Sequence, residues 1–280
     1  MLDRLKSEIQ WSNLIAGTTA GAVSTLAVHP LDLAKIRLQV NEGTGVVAYR
    51  PDTKGFVRTL VDVARTRGPS GLYTGLTPNL IGAGGSWGLY FLMYAAFKLH
   101  LQEGALTITV TNPIFVVKTR LCLQYEHLAQ TRMSTVAALA NLWRHEGFRG
   151  LYRGYSAALF GVTQGAIQYS LYEQLRNWYN QNYKHRASNT KLTTIEYLTF
   201  ASISKIVAVL MTYPYQVVRS RMQDQHRKYN GLVHVIRELL THEGFPGMYK
   251  GIIPNLIRVT PSCAITFLVY ENLVDFLRSG

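Results

Sequence analysis

Long uncharged runs, separated by polar segments, dominate the pattern of this chain. The first, Trp11–Val28, has 18 residues without Asp, Glu, Lys or Arg, close to the ~20 residues that a helix needs to span a bilayer. Gly17 and Gly21 give this run a small-residue face for close helix packing. Four further runs are uncharged or carry one base, namely Leu76–Phe97, Gly154–Tyr172, Tyr197–Val218 and Ile252–Tyr270. The pattern predicts a protein built mainly from membrane-spanning helices.

Three polar segments between these runs have apolar residues at helical spacing. Within Tyr49–Arg67, for example, Phe56 and Val63 lie two helical turns apart. That spacing predicts a short amphipathic helix on the membrane surface, and Met133–Arg144 and Leu232–His242 predict two more.

A proline frame recurs three times, each time after an apolar segment. Pro30, Pro113 and Pro214 each have a base five positions later and another seven positions later. Because each proline falls inside a helical pattern, we expect it to kink its helix rather than end it. The bases of the frame are Lys35, Arg37, Lys118, Arg120, Arg219 and Arg221.

Composition favours a membrane protein over an enzyme or a nucleic-acid binder. The net charge is +13, yet only 16% of the residues are charged, against about a quarter in soluble domains. The bases flank apolar runs instead of clustering on one face, so we expect no nucleic-acid partner. The two cysteines and eight histidines have no metal-ligand spacing, and no nucleophile–base pattern is present. We therefore expect no enzymatic activity, no metal and no resident cofactor.

The repeated unit resembles the mitochondrial carrier family. The family signature is Pro-x-Asp/Glu-x-x-Lys/Arg-x-Lys/Arg, followed by Asp/Glu-Gly and aromatic-Lys/Arg-Gly, and the resemblance covers nearly the whole chain. Four stretches look like the branch of the family that transports folate or FAD: Trp87–Tyr90, Lys118–Leu121, Thr212–Arg219 and Asn255–Pro261.

The resemblance implies an all-α membrane protein with three tandem two-helix repeats in a pseudo-threefold six-helix bundle. The repeats are expected at residues 1–101, 102–186 and 187–280. The family resemblance also implies transport by alternating access in the mitochondrial inner membrane, with FAD or a folate as an anionic transported substrate.

The resemblance implies a gate at each end of the bundle. On the matrix side, the acid of one repeat pairs with a base of another, so Asp32 is expected to pair with Lys118. The acid positions of the other repeats hold Phe115 and Gln216, so two bases lack acidic partners. The expected matrix gate comprises Asp32, Lys35, Lys118 and Arg219, with Gln39 and Gln223 as hydrogen-bonding braces. The expected cytoplasmic-side gate comprises Lys98, Glu173, Arg176 and Glu271, with pairs between repeats.

The second repeat departs from the other two. Tyr73 and Pro113 are 40 positions apart, whereas Tyr152 and Pro214 are 62 apart. Only the nine residues Gly104–Asn112 are uncharged before Pro113, roughly 14 Å of helix against a ~30 Å hydrocarbon core. The sequence therefore predicts a truncated third spanning helix and impaired folding or transport.

Two bases lie inside the apolar runs. Burying a charge there is costly, so Lys205 and Arg258 are expected to face a cavity and bind substrate; structural pairing is the alternative. By the family resemblance, Arg258 stands at the substrate contact point of the last helix. The equivalent positions on the second and fourth spanning helices are Gly82 and Phe160–Gly161. Ring stacking on Trp87, Tyr90 and Phe115 and cavity lining by Gln164 and Gln168 are further hypotheses, with helix or lipid packing as the alternative.

Several alternatives remain open at this point. The chain could carry a related nucleotide such as NAD or a pyrimidine nucleotide, it could be a transport-deficient truncated form, or it could be a soluble helical repeat protein. Backbone N–H groups near Arg153-Gly154 and Lys250-Gly251 are expected to bind an anionic, cardiolipin-like lipid. We expect a monomer.

Overall fold

The computed structural model describes residues 2–41, 55–83, 100–124, 133–183, 192–227 and 229–279. All regular secondary structure in these ranges is helical. The helices are α1 (Leu2–Val40), α2 (Phe56–Arg67), α3 (residues 76–83), α4 (His100–Cys122), α5 (Thr135–Leu151), α6 (Tyr155–Asn182), α7 (Thr194–Gln223), α8 (Leu232–Gly247) and α9 (Ile252–Ser279). A 3₁₀ turn, Pro69–Tyr73, follows α2.

Six of these helices form a ring. Helix α1 packs along α9, α9 along α7, α7 along α6, and α6 along α4. Helix α3 closes the ring, since Asn79 faces α1 and Gly82 lies against Phe115 of α4. Each repeat contributes two helices, which is the six-helix bundle that the sequence predicts.

The first, third and fifth of the six spanning helices, namely α1, α4 and α7, continue through their prolines. By this order, α1, α4 and α7 are the odd-numbered spanning helices, and α3, α6 and α9 are the even-numbered ones. Pro30, Pro113 and Pro214 lie inside α1, α4 and α7, as predicted. The shorter helices pack onto these proline ends: Val63 of α2 is buried in one cluster with Leu33 of α1. Helices α5 and α8 pack in the same way against α4 and α7.

Both later surface helices extend beyond their predicted ends. Helix α5 runs to Leu151 and α8 to Gly247, where the sequence predicted ends at Arg144 and His242. Each contains one glycine with a positive φ, Gly147 or Gly244, at which the helix kinks. A glycine therefore bends these helices where the sequence analysis expected them to stop.

The described part of α4 is shorter than its counterpart α7. It has 13 residues before Pro113, whereas α7 has 20 before Pro214. At 1.5 Å per residue these segments are roughly 20 Å and 30 Å long. Because residues 84–99 lie outside the described residues, the truncation of the third spanning helix stays a prediction. Glu103, which precedes the uncharged run Gly104–Asn112, lies within α4.

The described contacts of α1 with α9 lie one position away from the predicted small-residue face. Ala16, Ala20 and Ser24 are buried, and Ser24 donates a hydrogen bond to a backbone carbonyl of α9 at 3.0 Å. A methyl group on Gly17 or Gly21 would meet no atom of the described residues within 4 Å. A contact face at Gly17 and Gly21 stays a prediction, because residues 84–99 lie outside the described ranges.

Two helices of the described ranges, Ile195–Gln223 and Ile252–Phe276, are long and apolar enough to cross a membrane. They coincide with two of the predicted spanning runs. The predicted run Leu76–Phe97 lies outside the described residues beyond position 83.

Candidate functional site

Three glycines bring neighbouring repeats together at the proline ends. Gly75, Gly154 and Gly251 have φ of +84°, +74° and +78°, which L side chains rarely adopt. A Cβ on any of them would lie 2.9–3.2 Å from a backbone carbonyl of the next odd-numbered spanning helix. Those carbonyls belong, in order, to Lys118, Arg219 and Lys35.

Side chains from α1, α4 and α7 meet at this level in three pairs. Each pair joins the residue two positions after one proline to the base five positions after another. We call these six residues the gate cluster. They are Asp32, Lys35, Phe115, Lys118, Gln216 and Arg219.

The first pair is ionic. The Asp32 carboxylate is almost fully buried, and Lys118 Nζ donates to its Oδ2 at 3.2 Å, as the sequence analysis expected. Arg258 of α9 forms an ion pair with the other oxygen, Oδ1. Asn79 Nδ2 lies 3.4 Å from Oδ2. Two cations from two helices thus compensate the desolvation of one buried carboxylate.

The second pair is a charged hydrogen bond. Lys35 Nζ donates to Gln216 Oε1 at 2.7 Å. The amide of Gln216 in turn donates to Gln164 of α6 at 3.0 Å. Lys35 therefore has a hydrogen-bond partner at the position where the acid is missing, because the amide keeps a carbonyl acceptor.

The third pair is a cation–π contact. The Arg219 guanidinium lies 5.5 Å from the centre of the Phe115 ring, within the range in which a ring face attracts a cation. The ring also packs against Gly82, where an added Cβ would lie 3.2 Å from it. Arg219 thus has a partner that charge pairing alone does not reveal, and Phe115 already contacts protein on two sides.

The two expected braces connect neighbouring repeats. Gln39 Nε2 donates to the Tyr213 hydroxyl at 3.1 Å, and Gln39 Oε1 accepts from Ser220 at 2.7 Å. Gln223 Oε1 accepts from Thr119 at 2.7 Å. All of these bonds are buried, so they add directional contacts beneath the gate cluster.

The second base of each proline frame makes contacts of its own. Arg120 forms two hydrogen bonds to Glu146 at 2.6 and 2.8 Å, and Arg221 lies 2.7 Å from Glu243. Arg37 donates to two backbone carbonyls at the end of α4, at 3.1 and 3.3 Å. The sequence signal for the first two is the Glu-Gly pair after each surface helix.

Three of the predicted substrate residues, on α6 and α9, lie close to the gate cluster. Arg258 contacts Asp32, so it links α9 to the ionic pair. Gly161 of α6 lies against the Tyr215 hydroxyl, 3.1 Å from where a Cβ would be. Gln164 accepts a hydrogen bond from that same hydroxyl at 3.0 Å.

The remaining predicted substrate residues are not part of this arrangement. Phe160 is 57% exposed, and Gln168 and Lys205 are half-buried. Trp87 and Tyr90 lie outside the described residues.

At the opposite end of the bundle, the described residues include only part of the expected cytoplasmic-side gate, so its pairs between repeats stay a prediction. Glu173 lies 3.8 Å from Arg176 on its own helix, so the ion pair found among the described residues is within one repeat. Glu271 is exposed, and Lys98 lies outside the described residues.

A family model described as mitochondrial carrier protein matches three segments of the chain: residues 7–105, 103–183 and 190–280. The second match spans 81 residues, whereas the first spans 99 and the third 91. This difference agrees with the short uncharged run before Pro113.

Known proteins of similar sequence are transporters. "Folate transporter 1, chloroplastic" of Arabidopsis thaliana is 38% identical over 299 aligned positions that cover 96% of each chain. The mitochondrial FAD carrier protein of Saccharomyces cerevisiae is 33% identical over 94% of this chain and 97% of its own. A mitochondrial nicotinamide adenine dinucleotide transporter of Arabidopsis thaliana is 34% identical over 95% and 80%.

The alignment to the folate transporter also shows missing residues. Since 96% of 280 residues is about 269, about 30 of the 299 aligned positions have no residue in this chain. The three family matches and these relatives, together with the six-helix ring, show that the chain belongs to the mitochondrial carrier family.

Proposed function

We propose that this carrier transports FAD or a folate across the mitochondrial inner membrane by alternating access. The protein acts as a monomer, and the transported compound is its substrate and not a bound cofactor. The gate cluster closes the matrix side in the conformation described above, and substrate binding from the other side leads to its opening.

The contact between Arg258 and Asp32 carries this proposal. Arg258 lies on α9, at the position that the family resemblance assigns to substrate contact. Its side chain is 30% exposed, whereas its partner Asp32 is buried. A guanidinium binds carboxylates and phosphates through two parallel hydrogen bonds. An entering anion therefore competes with Asp32 for Arg258, and this competition weakens the ionic pair of the gate.

The substrate class follows from this chemistry and from the relatives. A folate carries glutamate carboxylates and FAD carries a pyrophosphate, so either can occupy an arginine fork. The relatives named for folate and FAD transport are 38% and 33% identical to this chain. Lys205, a half-buried base on α7, is a second candidate contact for the anion.

Uptake into liposomes tests the proposal. We expect the purified chain to take up labelled FAD or a labelled folate, and Arg258→Ala to abolish that uptake. Arg227→Ala is the matched control, because Arg227 pairs with Glu238 at 2.6 Å away from the gate cluster. Uptake that survives Arg258→Ala would contradict the assignment of Arg258.

A carrier of NAD is a second candidate, favoured by the relative named for nicotinamide adenine dinucleotide transport at 34% identity. NAD also carries a pyrophosphate, so Arg258 suits it equally well. Uptake of labelled NAD in the same liposomes, with neither FAD nor folate transported, would select this candidate.

A transport-deficient form is a third candidate, favoured by the short α4. Inserting a ~22-residue apolar segment before Ile108 would restore the length of the third spanning helix. We expect the insertion to raise both the thermal stability in detergent and the rate of uptake, because neighbouring helices regain a packing partner. No gain in either measurement would show that the short helix does not impair the carrier.

Anionic lipid such as cardiolipin is a further proposed partner. Its phosphates would meet backbone N–H groups at the starts of α6 and α9. The side chains there already have partners, since Lys250 lies 2.7 Å from Glu243 and Arg153 lies 3.6 Å from Glu146. Lipid binding at these sites would therefore depend mainly on backbone donors.

A further inference from the structure

A series of hydrogen bonds joins α6 to α1 through α7. Gln164 Oε1 on α6 accepts from Gln216 Nε2 at 3.0 Å, and Gln216 Oε1 accepts from Lys35 Nζ at 2.7 Å. The Tyr215 hydroxyl also donates to Gln164 Oε1 at 3.0 Å. Gln216, which accepts the hydrogen bond from Lys35, is therefore itself hydrogen-bonded to α6.

The amide nitrogen of Gln164 is available for a ligand. Its carbonyl oxygen accepts two hydrogen bonds, whereas no hydrogen bond from its NH₂ group to the other described residues is found. Space is also available near it on α6, because Gly165 carries no side chain and a Cβ there would meet no atom of the described residues within 4 Å. A planar group can therefore approach the Gln164 amide along α6.

The chemistry of a primary amide defines what it would recognise. A glutamine amide pairs with a cyclic amide by donating to the ring carbonyl and accepting from the ring N–H. The isoalloxazine ring of FAD and the pterin ring of folates both contain such a cyclic amide. A ring N–H bound to Gln164 Oε1 would replace the bond from Gln216.

We infer that Gln164 is a specificity-determining residue that binds the cyclic-amide edge of the substrate ring and thereby releases Gln216 from α6. This inference rests on the proposed function and extends it to a second part of the substrate. The released Gln216 no longer has a fixed position, so its bond to Lys35 weakens. The anion acts on Asp32 through Arg258, and the ring acts on Lys35 through Gln164.

The inference makes the ring a requirement that is separate from the anion. A compound with the anionic group but without the cyclic amide weakens the Asp32 pair and leaves the Lys35–Gln216 pair in place. The carrier therefore discriminates between an intact folate and its p-aminobenzoylglutamate fragment, which keeps both carboxylates and lacks the pterin.

Competition measurements in liposomes test this inference. Labelled FAD or folate uptake is measured against rising concentrations of intact folate or of p-aminobenzoylglutamate, and the ratio of the two inhibition constants gives the preference for the ring. We expect Gln164→Glu to reduce this preference by about tenfold, the value of one lost hydrogen bond of ~1.4 kcal/mol, and Gln164→Leu, which removes both the donor and the acceptor, to reduce it at least as much. The control Gln174→Leu, an exposed position on the same helix, should leave the preference unchanged.

The glutamate variant separates recognition from folding. A glutamate at position 164 still accepts from Tyr215 and Gln216 but cannot donate to a ring carbonyl. Its added charge weakens the binding of both competitors alike, so the effect cancels in the ratio. A preference that stays at the level of the unmodified chain in both Gln164 variants would overturn the inference while leaving the proposed function intact. Absence of uptake by the unmodified chain would instead overturn the proposed function, and the inference would fall with it.

Discussion

The α1–α4 side of the gate cluster differs in kind from the other two sides. Asp32 is a buried carboxylate with Lys118 and Arg258 as charged partners. Among the described residues, Lys35 contacts an amide carbonyl and lies 6.0 Å from the centre of the Tyr213 ring, and Arg219 lies over the face of the Phe115 ring. Removing one member of a buried ion pair costs ~3–5 kcal/mol, whereas a hydrogen bond to a charged group contributes ~1.5–3 and a cation–π contact ~0.5–2. The closed conformation therefore depends unequally on its three sides.

The same difference gives the gate an excess of positive charge. The cluster contains three bases and one acid, so its formal charge is +2 before Arg258 is included. A positive region between low-dielectric walls concentrates anions. The replacement of two acids by Phe115 and Gln216 thus leaves an attractive potential for an anionic substrate at the point where that substrate has to act.

The largest expected effect comes from breaking the ionic side. Asp32→Asn leaves Lys118 and Arg258 close together without their shared carboxylate. We expect a loss of ~3–5 kcal/mol in the free energy of unfolding and loss of uptake. Thermal unfolding in detergent measures the first and liposome uptake the second.

Asp62→Asn on α2 is the matched control for this change. Asp62 is a half-buried acid that forms no ion pair with the other described residues, so we expect a change within ~0.5 kcal/mol. Equal losses in the two variants would show that the pairing of Asp32 contributes nothing to stability.

A smaller effect is expected from the backbone next to Lys35. Gly251→Ala places a side chain at φ +78° with its Cβ 2.9 Å from the Lys35 carbonyl. We expect a loss of ~1–3 kcal/mol from backbone strain, measured by thermal unfolding. Gly165→Ala, where a Cβ meets no atom within 4 Å, should not reduce stability. A loss of the same size in both variants would count against the close approach of α9 to α1.

The aromatic side should be weaker still. Phe115→Leu keeps an apolar side chain against Gly82 but removes the ring face from Arg219. We expect a loss of ~0.5–2 kcal/mol and a lower energetic barrier to opening, which would appear as faster uptake at saturating substrate. Unchanged stability together with unchanged uptake would exclude a role of the ring in the gate.

The smallest effect is expected when the amide side is made ionic. Gln216→Glu gives Lys35 a carboxylate partner, so the closed conformation should gain up to ~1 kcal/mol and uptake should slow. Melting temperature and uptake rate are the two measurements. A faster carrier with a lower melting temperature would contradict the pairing of Lys35 with position 216.

The offsets within the proline frame predict much of the fold and one pair of the site. The acid after Pro30 and the base after Pro113 stand at the family's positions, and the family resemblance implies the pair of Asp32 with Lys118. The other two pairs follow the same offsets, but a rule that considers only opposite charges misses them, because an amide and a ring also stabilise a cation.

Other features depend on tertiary structure. Spacing alone does not fix how a helix is rotated about its axis, so it did not identify Ala16 and Ala20 as buried positions of α1. The contact of Arg258 with Asp32 joins residues 226 positions apart and requires α9 to lie along α1. An uncharged run does not define the extent of α4, because Glu103 belongs to the helix.

Double-mutant cycles on the gate cluster test the unequal sides most directly. The free energy of unfolding is measured for Asp32→Asn, Lys118→Met and the double variant, and then for the matching cycle of Phe115→Leu with Arg219→Met. Residues in contact give non-additive effects, and their size is the coupling energy. The predicted result is a coupling in the Asp32–Lys118 cycle that clearly exceeds the coupling in the Phe115–Arg219 cycle. Equal couplings, or an additive Asp32–Lys118 cycle, would contradict the conclusion that one buried carboxylate dominates the gate.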